Sequence, residues 1–231
     1  MISIIIPVHN QADQIKACFD SILKQTNNDW ELIVVDDGST DNIKDVVSEY
    51  TDYFSETNFH FFSKQNEGSN PTRNFGFDRS VGEYVIFCDA DIIMKPQMLE
   101  KMLKTLEANP DRSFVYSSFM YGAKLFKLFP YDATRLKTMP YIHATSLLRR
   151  IDFSGFDPAI KRFQDWDLWL TLLANNKTGI WIDEVLFTAQ LGKAHFSNWL
   201  PKITYKIFPF LPVVKKYKAA MEKIKIKHHL Q

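Results

Sequence analysis

Two aspartates one residue apart, Asp89 and Asp91, close the apolar run Tyr84-Val85-Ile86-Phe87-Cys88. Residues i and i+2 of an extended segment project to the same side, so both carboxylates can face one ligand while Ala90 leaves room for it. Hard oxygen donors suit Mg²⁺ or Mn²⁺, which are commonly held by one or two carboxylates together with the phosphates of a substrate. The pair therefore points to a divalent cation and a diphosphate-bearing substrate. Taken alone, the same residues also read as a turn after a strand, since Asp favours turns.

The elements that must position this pair decide between the two. A first apolar run, Ile2 to Ile6, ends at Pro7-Val8-His9-Asn10, and a second, Glu31-Leu32-Ile33-Val34-Val35, runs into Asp36-Asp37-Gly38-Ser39. Continuous β-branched runs fit strands buried on both faces of a mostly parallel sheet. Between them, Ala12 to Gln25 places Ile15, Cys18, Phe19, Ile22 and Leu23 on one helical stripe, and Asp41 to Tyr50 predicts a second helix with Thr40 or Asp41 as N-cap. Alternating β and α at this spacing predicts an α/β, Rossmann-like layout in which ligands bind beyond the carboxyl ends of the strands. All three polar clusters fall at that edge.

Taken in order, these segments resemble the family-two glycosyltransferases with the GT-A fold. The resemblance is carried by Ser3-Ile4-Ile5-Ile6-Pro7-Val8-His9-Asn10, by Gln25-Thr26, and by Trp30-Glu31-Leu32-Ile33-Val34-Val35-Asp36-Asp37-Gly38-Ser39-Thr40-Asp41. It continues through Asn66-Glu67-Gly68, Arg73-Asn74-Phe75-Gly76, Asp89-Ala90-Asp91, Arg149-Arg150, Gly155-Phe156-Asp157 and Gln164-Asp165-Trp166-Asp167-Leu168-Trp169. Each motif is weak alone; the ordered set is specific and spans roughly residues 1 to 190. It implies a domain over residues 1–192, with a nucleotide-sugar half at 1–95 and an acceptor-side half at 96–192 forming a smaller layer, followed by a basic, aromatic extension at 193–231.

The resemblance also implies roles. Pro7, His9, Asn10, Asp37, Asn66, Arg73, Asp89 and Ala90 would bind the nucleotide sugar, with Asp37 accepting from the nucleobase and His9 packing on it. Histidine replaces the more frequent tyrosine there, and its alternative role is a loop side chain that covers the site. Arg73 would approach the diphosphate, where a rigid fork of donors suits phosphate oxygens, or form a surface salt bridge. Gly68 and Gly76 would permit tight backbone paths. Asp89 and Asp91 would hold Mn²⁺ or Mg²⁺, and Asp165 would be the base that deprotonates an acceptor hydroxyl during inverting transfer of a hexosyl or N-acetylhexosaminyl group. Gln164 stands where the family usually has an acid. The competing structural role for Asp165 is an N-cap, and Asp167 reads as a first-turn residue favoured by the helix dipole.

The implied partners are a UDP-sugar donor and a glycan or lipid-linked acceptor, whose contacts would come from the Phe114 to His143 segment. The family's Gln-x-x-Arg-Trp motif of processive synthesis is absent, which predicts single addition. Two other classes share parts of the pattern: haloacid-dehalogenase phosphatases, whose Asp-x-Asp also ends a strand, and a silent sugar-nucleotide-binding domain.

Composition fits a globular enzyme: 231 residues, 45% hydrophobic, can bury a substantial core. Cys18 and Cys88 read as apolar packing residues. The chain starts directly in a strand, predicting a cytoplasmic protein. Its net charge of +1 hides an asymmetry, for Lys193 to Gln231 carries nine lysines against one glutamate. Aromatics interleave there, as in Trp199-Leu200-Pro201 and Phe208-Pro209-Phe210. Such a tail suits the interface of an anionic membrane, or a helix packed through the Ile224 and Ile226 neighbourhood on the domain. The acidic remainder argues against nucleic acid as a partner. His228-His229 reads as exposed tail, and His195 stands near the place of a family histidine that completes a metal shell, in a poorly matching context.

Overall fold

The computed structural model describes residues 1–54, 58–191 and 211–230. Strands β1 (Ile2–Val8), β2 (Trp30–Asp37), β3 (Phe59–Lys64) and β4 (Tyr84–Phe87) form a parallel block in the order β3-β2-β1-β4. Every residue of β1 and all but Trp30 of β2 are buried, as expected for strands covered on both faces. Helices α1 (Ala12–Leu23), α2 (Ile43–Thr51) and α3 (Ser69–Phe77) make the crossovers. The predicted stripe of α1 is the face that packs, with Ile15, Cys18, Phe19 and Ile22 fully enclosed. Cys18 and Cys88 are free and buried in the same core.

Past β4 the sheet continues with mixed polarity. β5 (Ile92–Met94), β6 (Phe114–Tyr121), β7 (Lys124–Phe126), β8 (Leu147–Arg149) and β9 (Gly179–Ala189) extend it as β4-β8-β6-β9-β5, with β7 paired to β6. β8 inserts antiparallel between β4 and β6, so the end of β4 and the loop before β8 meet at one edge. Helices α4 (Met98–Glu107), the single turn α5 (Ala133–Leu136) and α6 (Gln164–Ala174) complete the second half. A last helix, α7 (Pro212–Lys227), packs against the domain through Val214 and Ile224, both fully buried, while Ile226 stays 68% exposed. His195, Trp199 and Phe208-Pro209-Phe210 lie outside the described residues.

Two glycines set how α3 meets the parallel block. Gly68 adopts φ +96°, a conformation that side chains rarely take, and starts α3 at the right angle. A Cβ on Gly76 would lie 2.6 Å from Ile5 Cγ2, so α3 rests directly on β1.

The expected cap of the second helix is corrected. Asn42, at the N-cap position of α2, makes no side-chain cap bond, and the Asp41 carboxylate accepts from the Ala12 N–H at 2.9 Å instead. The turn at Gly38 (φ +72°) aims Asp41 at α1, whose own N-cap residue, Gln11, offers no side-chain bond.

Candidate active site

The loops after β1, β2 and β3 converge at the carboxyl edge of the parallel block. His9 Nδ1 lies 3.0 Å from the Asp37 carbonyl, and Asn66 Nδ2 reaches the same ring at 3.1 Å. Asn10, held at φ +53°, ties this loop to the next by accepting from the Thr40 N–H at 2.7 Å. Pro7 is buried within β1, one residue before its end. His9, Asn10, Asp37 and Asn66 are thus brought together beyond the strand that holds Pro7, and His9 presents an exposed ring.

Asp37 is more heavily engaged than its sequence context implied. Its Oδ1 accepts from Lys64 Nζ (3.1 Å) and the Glu67 N–H (3.0 Å), and its Oδ2 from the Gly68 N–H (2.8 Å). Burial alone would raise its pKa, but these donors and the Thr72 hydroxyl hold it below the usual value. The carboxylate therefore fixes the start of α3, and a base N–H reaching it would have to take the place of Lys64.

Asp89 and Asp91 sit just beyond β4. Arg73, 5% exposed, rises from α3 and pairs with Asp89 Oδ1 through NH2 at 2.7 Å. The arginine is buried and the aspartate half-buried, so this is no surface bridge. Burial works against charge on both partners, yet each stabilises the other's ion: the arginine is raised by Asp89 and then Asp165, the aspartate lowered by Arg73. Arg73 Nε is buried without a hydrogen-bond partner, an unused donor beside the carboxylates. Asp91 is pushed up to about 6, chiefly by burial and then by the charge of Asp89. Ala90 between them is fully enclosed. No group of three or more His, Cys, Asp or Glu side chains is assembled for a metal among the described residues. A close carboxylate pair with surplus negative charge fits a divalent cation whose remaining ligands come from substrate phosphates and water.

Asp165 does not cap its helix. It lies one residue inside α6, and the N-cap position belongs to Phe163, in a left-handed conformation (φ +61°). The Asp165 Oδ2 instead accepts from the Ala144 N–H at 3.0 Å, because the indoles of Trp166 and Trp169 anchor α6 to the Leu136 and Ile142 carbonyls and turn Asp165 toward the loop before β8. Gln164 donates to Ser69 Oγ on α3 at 3.0 Å, a structural link in place of an acid. The same loop carries His143, an imidazole close enough to act electrostatically on both Asp89 and Asp91. Sequence reasoning placed His143 only within an acceptor-contact segment; its approach depends on the antiparallel insertion of β8, which has no local periodic signal.

Asp167 lies in the first turn of α6 as expected, and it also has packed partners. It is 3% exposed, and its Oδ1 meets His228 Nε2 at 2.7 Å and Lys227 Nζ at 2.8 Å. His228 is therefore a packed contact of α7 and no exposed tail residue.

A sheet with this strand order, a carboxylate pair at its edge and an acid opening the facing helix fit a GT-A type of α/β domain. The model of glycosyl transferase family 2 matches residues 3–164, and the chain belongs to that family. This removes the haloacid-dehalogenase alternative. The chain is 31% identical over 207 residues to a Bacillus subtilis protein provisionally named the teichuronic acid biosynthesis glycosyltransferase TuaG, covering 86% of this chain and 82% of that one. It is 28% identical to an uncharacterised Rickettsia felis glycosyltransferase over 77% of this chain, which spans 31% of that relative's length. Among solved structures, Staphylococcus aureus TarS residues 1–349 with UDP superposes with a TM-score of 0.70 at 19% identity, covering 83% of this chain and 60% of that one. The mannosyltransferase PcManGT of Pyrobaculum calidifontis, with GDP-Man and Mn²⁺, gives 0.69 at 20% identity, covering 84% and 58%. At such identities the two structures establish the GT-A fold.

Proposed function

We propose that this protein is an inverting glycosyltransferase that moves a sugar from a nucleoside diphosphate sugar, UDP-linked, to a hydroxyl of a glycan or lipid-linked acceptor. The observation that carries this reading is the convergence on Arg73: its guanidinium pairs with Asp89 at 2.7 Å and also feels the charge of Asp165. One cation thus joins the donor end of the site to the candidate base. TarS with UDP and PcManGT with GDP-Man and Mn²⁺ support a nucleotide-sugar donor and a divalent ion for this fold.

Each residue has a physical task. His9, with Asn10 and Asn66 around it, offers a face for the nucleobase, and Asp37 discriminates by accepting a ring N–H once Lys64 gives way. Asp89 and Asp91 would hold Mn²⁺ or Mg²⁺, which when bound supplies Lewis-acid stabilisation of the departing diphosphate. Arg73 donates to the diphosphate with a fork suited to phosphate. Asp165 removes the proton of the acceptor hydroxyl as it attacks the anomeric carbon from the face opposite the diphosphate, so the configuration inverts. Its hydrogen bond from Ala144 leaves Oδ1 for the acceptor. No covalent intermediate is needed.

No helix among the described residues is long and apolar enough to cross a membrane. The exposed Lys215, Lys216 and Lys218 at the start of α7 support a peripheral contact with anionic lipid, near a lipid-linked acceptor. Vesicle co-sedimentation that rises with anionic lipid and falls with salt tests this part.

Calorimetry decides the donor reading. UDP should bind with Mn²⁺ or Mg²⁺ and bind far less after EDTA or in Asp91→Asn. Equal affinity in all conditions overturns the metal role, and absence of slow UDP-sugar hydrolysis or transfer with any acceptor would favour the silent binding domain.

A further inference from the structure

One imidazole in the site has no task in the mechanism above. His143 stands in the loop before β8 with its ring against the stacked pair Phe119 and Phe187, each 5.3 Å away centre to centre. Phe187 pairs with Met94 on β5, the strand that follows Asp91, and the Gln190 N–H donates to the Asp91 carbonyl at 2.9 Å. On the other side, Thr145 Oγ1 donates to the Phe87 carbonyl at 3.3 Å, two residues before Asp89. The next residue, Ala144, is the one that holds Asp165. His143 is thus carried on the loop that joins the end of β4, next to the carboxylate pair, to the candidate base.

Its protonation pattern is set locally. The Thr145 N–H lies 3.0 Å from His143 Nδ1, and a backbone N–H can only donate. Nδ1 is therefore the acceptor, and the neutral ring carries its proton on Nε2. No described residue takes Nε2. A metal ligand would need a lone pair at that atom, whereas this ring presents an N–H.

We propose that His143 is a donor-substrate contact, whose Nε2–H donates a hydrogen bond to a diphosphate oxygen of the nucleotide sugar. The assignment rests on the nucleotide-sugar reading above. The contact gains strength as negative charge accumulates on the leaving diphosphate, because hydrogen bonds to charged acceptors are the stronger ones. Phe119 and Phe187 hold the ring in place and keep the donor oriented without a rotamer search.

The test compares the wild-type chain with His143→Phe, which keeps an aromatic ring for packing and loses the donor, and His143→Gln, which retains an N–H. UDP binding in the presence of Mn²⁺ is measured by calorimetry, and Mn²⁺ uptake without nucleotide by electron paramagnetic resonance. His143→Phe should weaken UDP by roughly ten- to a hundred-fold, the worth of one hydrogen bond to a charged group. His143→Gln should recover most of that loss, and Mn²⁺ uptake should match in all three. UDP affinity unchanged in His143→Phe, an equal loss in His143→Gln at unchanged melting temperature, or reduced Mn²⁺ uptake would each overturn the assignment. If the phenylalanine variant does not fold, His143→Leu carries the same comparison. A wild-type chain that binds neither UDP nor GDP would instead overturn the underlying donor reading, and is told apart by that control.

Discussion

His228 Nε2 lies 2.7 Å from Asp167 Oδ1, joining residues 61 positions apart and fastening the last helix to the helix that carries Asp165. An ionised carboxylate only accepts, so the imidazole donates. Lys227 reinforces the link by bridging Asp157 and Asp167 at 2.7 and 2.8 Å. The candidate base is thus presented by a helix braced from behind, two residues from the bracing carboxylate.

Removing that brace should cost stability. Asp167→Asn keeps the shape but withdraws the charge that Lys227 and His228 share, and should destabilise the protein by about 1–3 kcal/mol, the cost of leaving buried polar partners unsatisfied. The urea midpoint should fall with the slope unchanged. An unaltered midpoint would mean that α7 docks by Val214 and Ile224 alone.

The brace should also respond to pH. The hydrogen bond from Lys227 holds Asp157 below the usual carboxylate range. Its contribution is complete above the unfolded value of about 4 and is lost as pH falls through the lower folded value. Burial opposes the charge of Lys227, but Asp157 and Asp167 together hold its pKa above the ordinary one, so that contribution persists until pH rises past about 10.5. The methyl resonances of Ile224 should therefore report a docked α7 at neutral pH and a loosened one only towards either extreme.

Asp165→Asn should reduce transfer by about 10²–10⁴-fold, the usual worth of a general base, with donor affinity nearly unchanged. The amide can still accept from Ala144, so the fold is kept. The product sugar should carry the anomeric configuration opposite to that of the donor, read by NMR; a retained anomer excludes single displacement.

UDP should bind more tightly than CDP, whose corresponding ring nitrogen accepts and cannot donate to Asp37. A tenfold difference is about 1.4 kcal/mol and is within calorimetric reach. Lys64→Met, by freeing Oδ1, should strengthen UDP binding or leave it unchanged; loss of the preference for UDP would show that Asp37 only anchors the loop.

Gly76→Ala should destabilise by about 1–3 kcal/mol as an overpacked site. The added Cβ would meet Ile5 Cγ2 at 2.6 Å and Val35 Cγ2 at 3.3 Å, both on buried strands with stiff side chains. Thermal unfolding measures the change.

The sequence by itself determined the parallel half. Runs such as Ile2 to Ile6 and Leu32 to Val35 specify strands buried on both faces, the stripe Ile15, Cys18, Phe19, Ile22 specifies a covering helix, and a parallel sheet places the acids that end such strands at one edge. These signals are local periods and strand ends, so they survive without coordinates. The tertiary structure decided what each acid does there. Asp37 is taken up by Lys64, Glu67 and Gly68, Asp165 is held by a backbone N–H 21 residues earlier, and Asp41 serves a different helix from the one it precedes. His143 reaches the carboxylate pair and His228 reaches Asp167 because an antiparallel strand and a terminal helix pack where they do. Such partners are chosen by the closing of the chain on itself, and contacts between distant residues leave no period in the segments that make them.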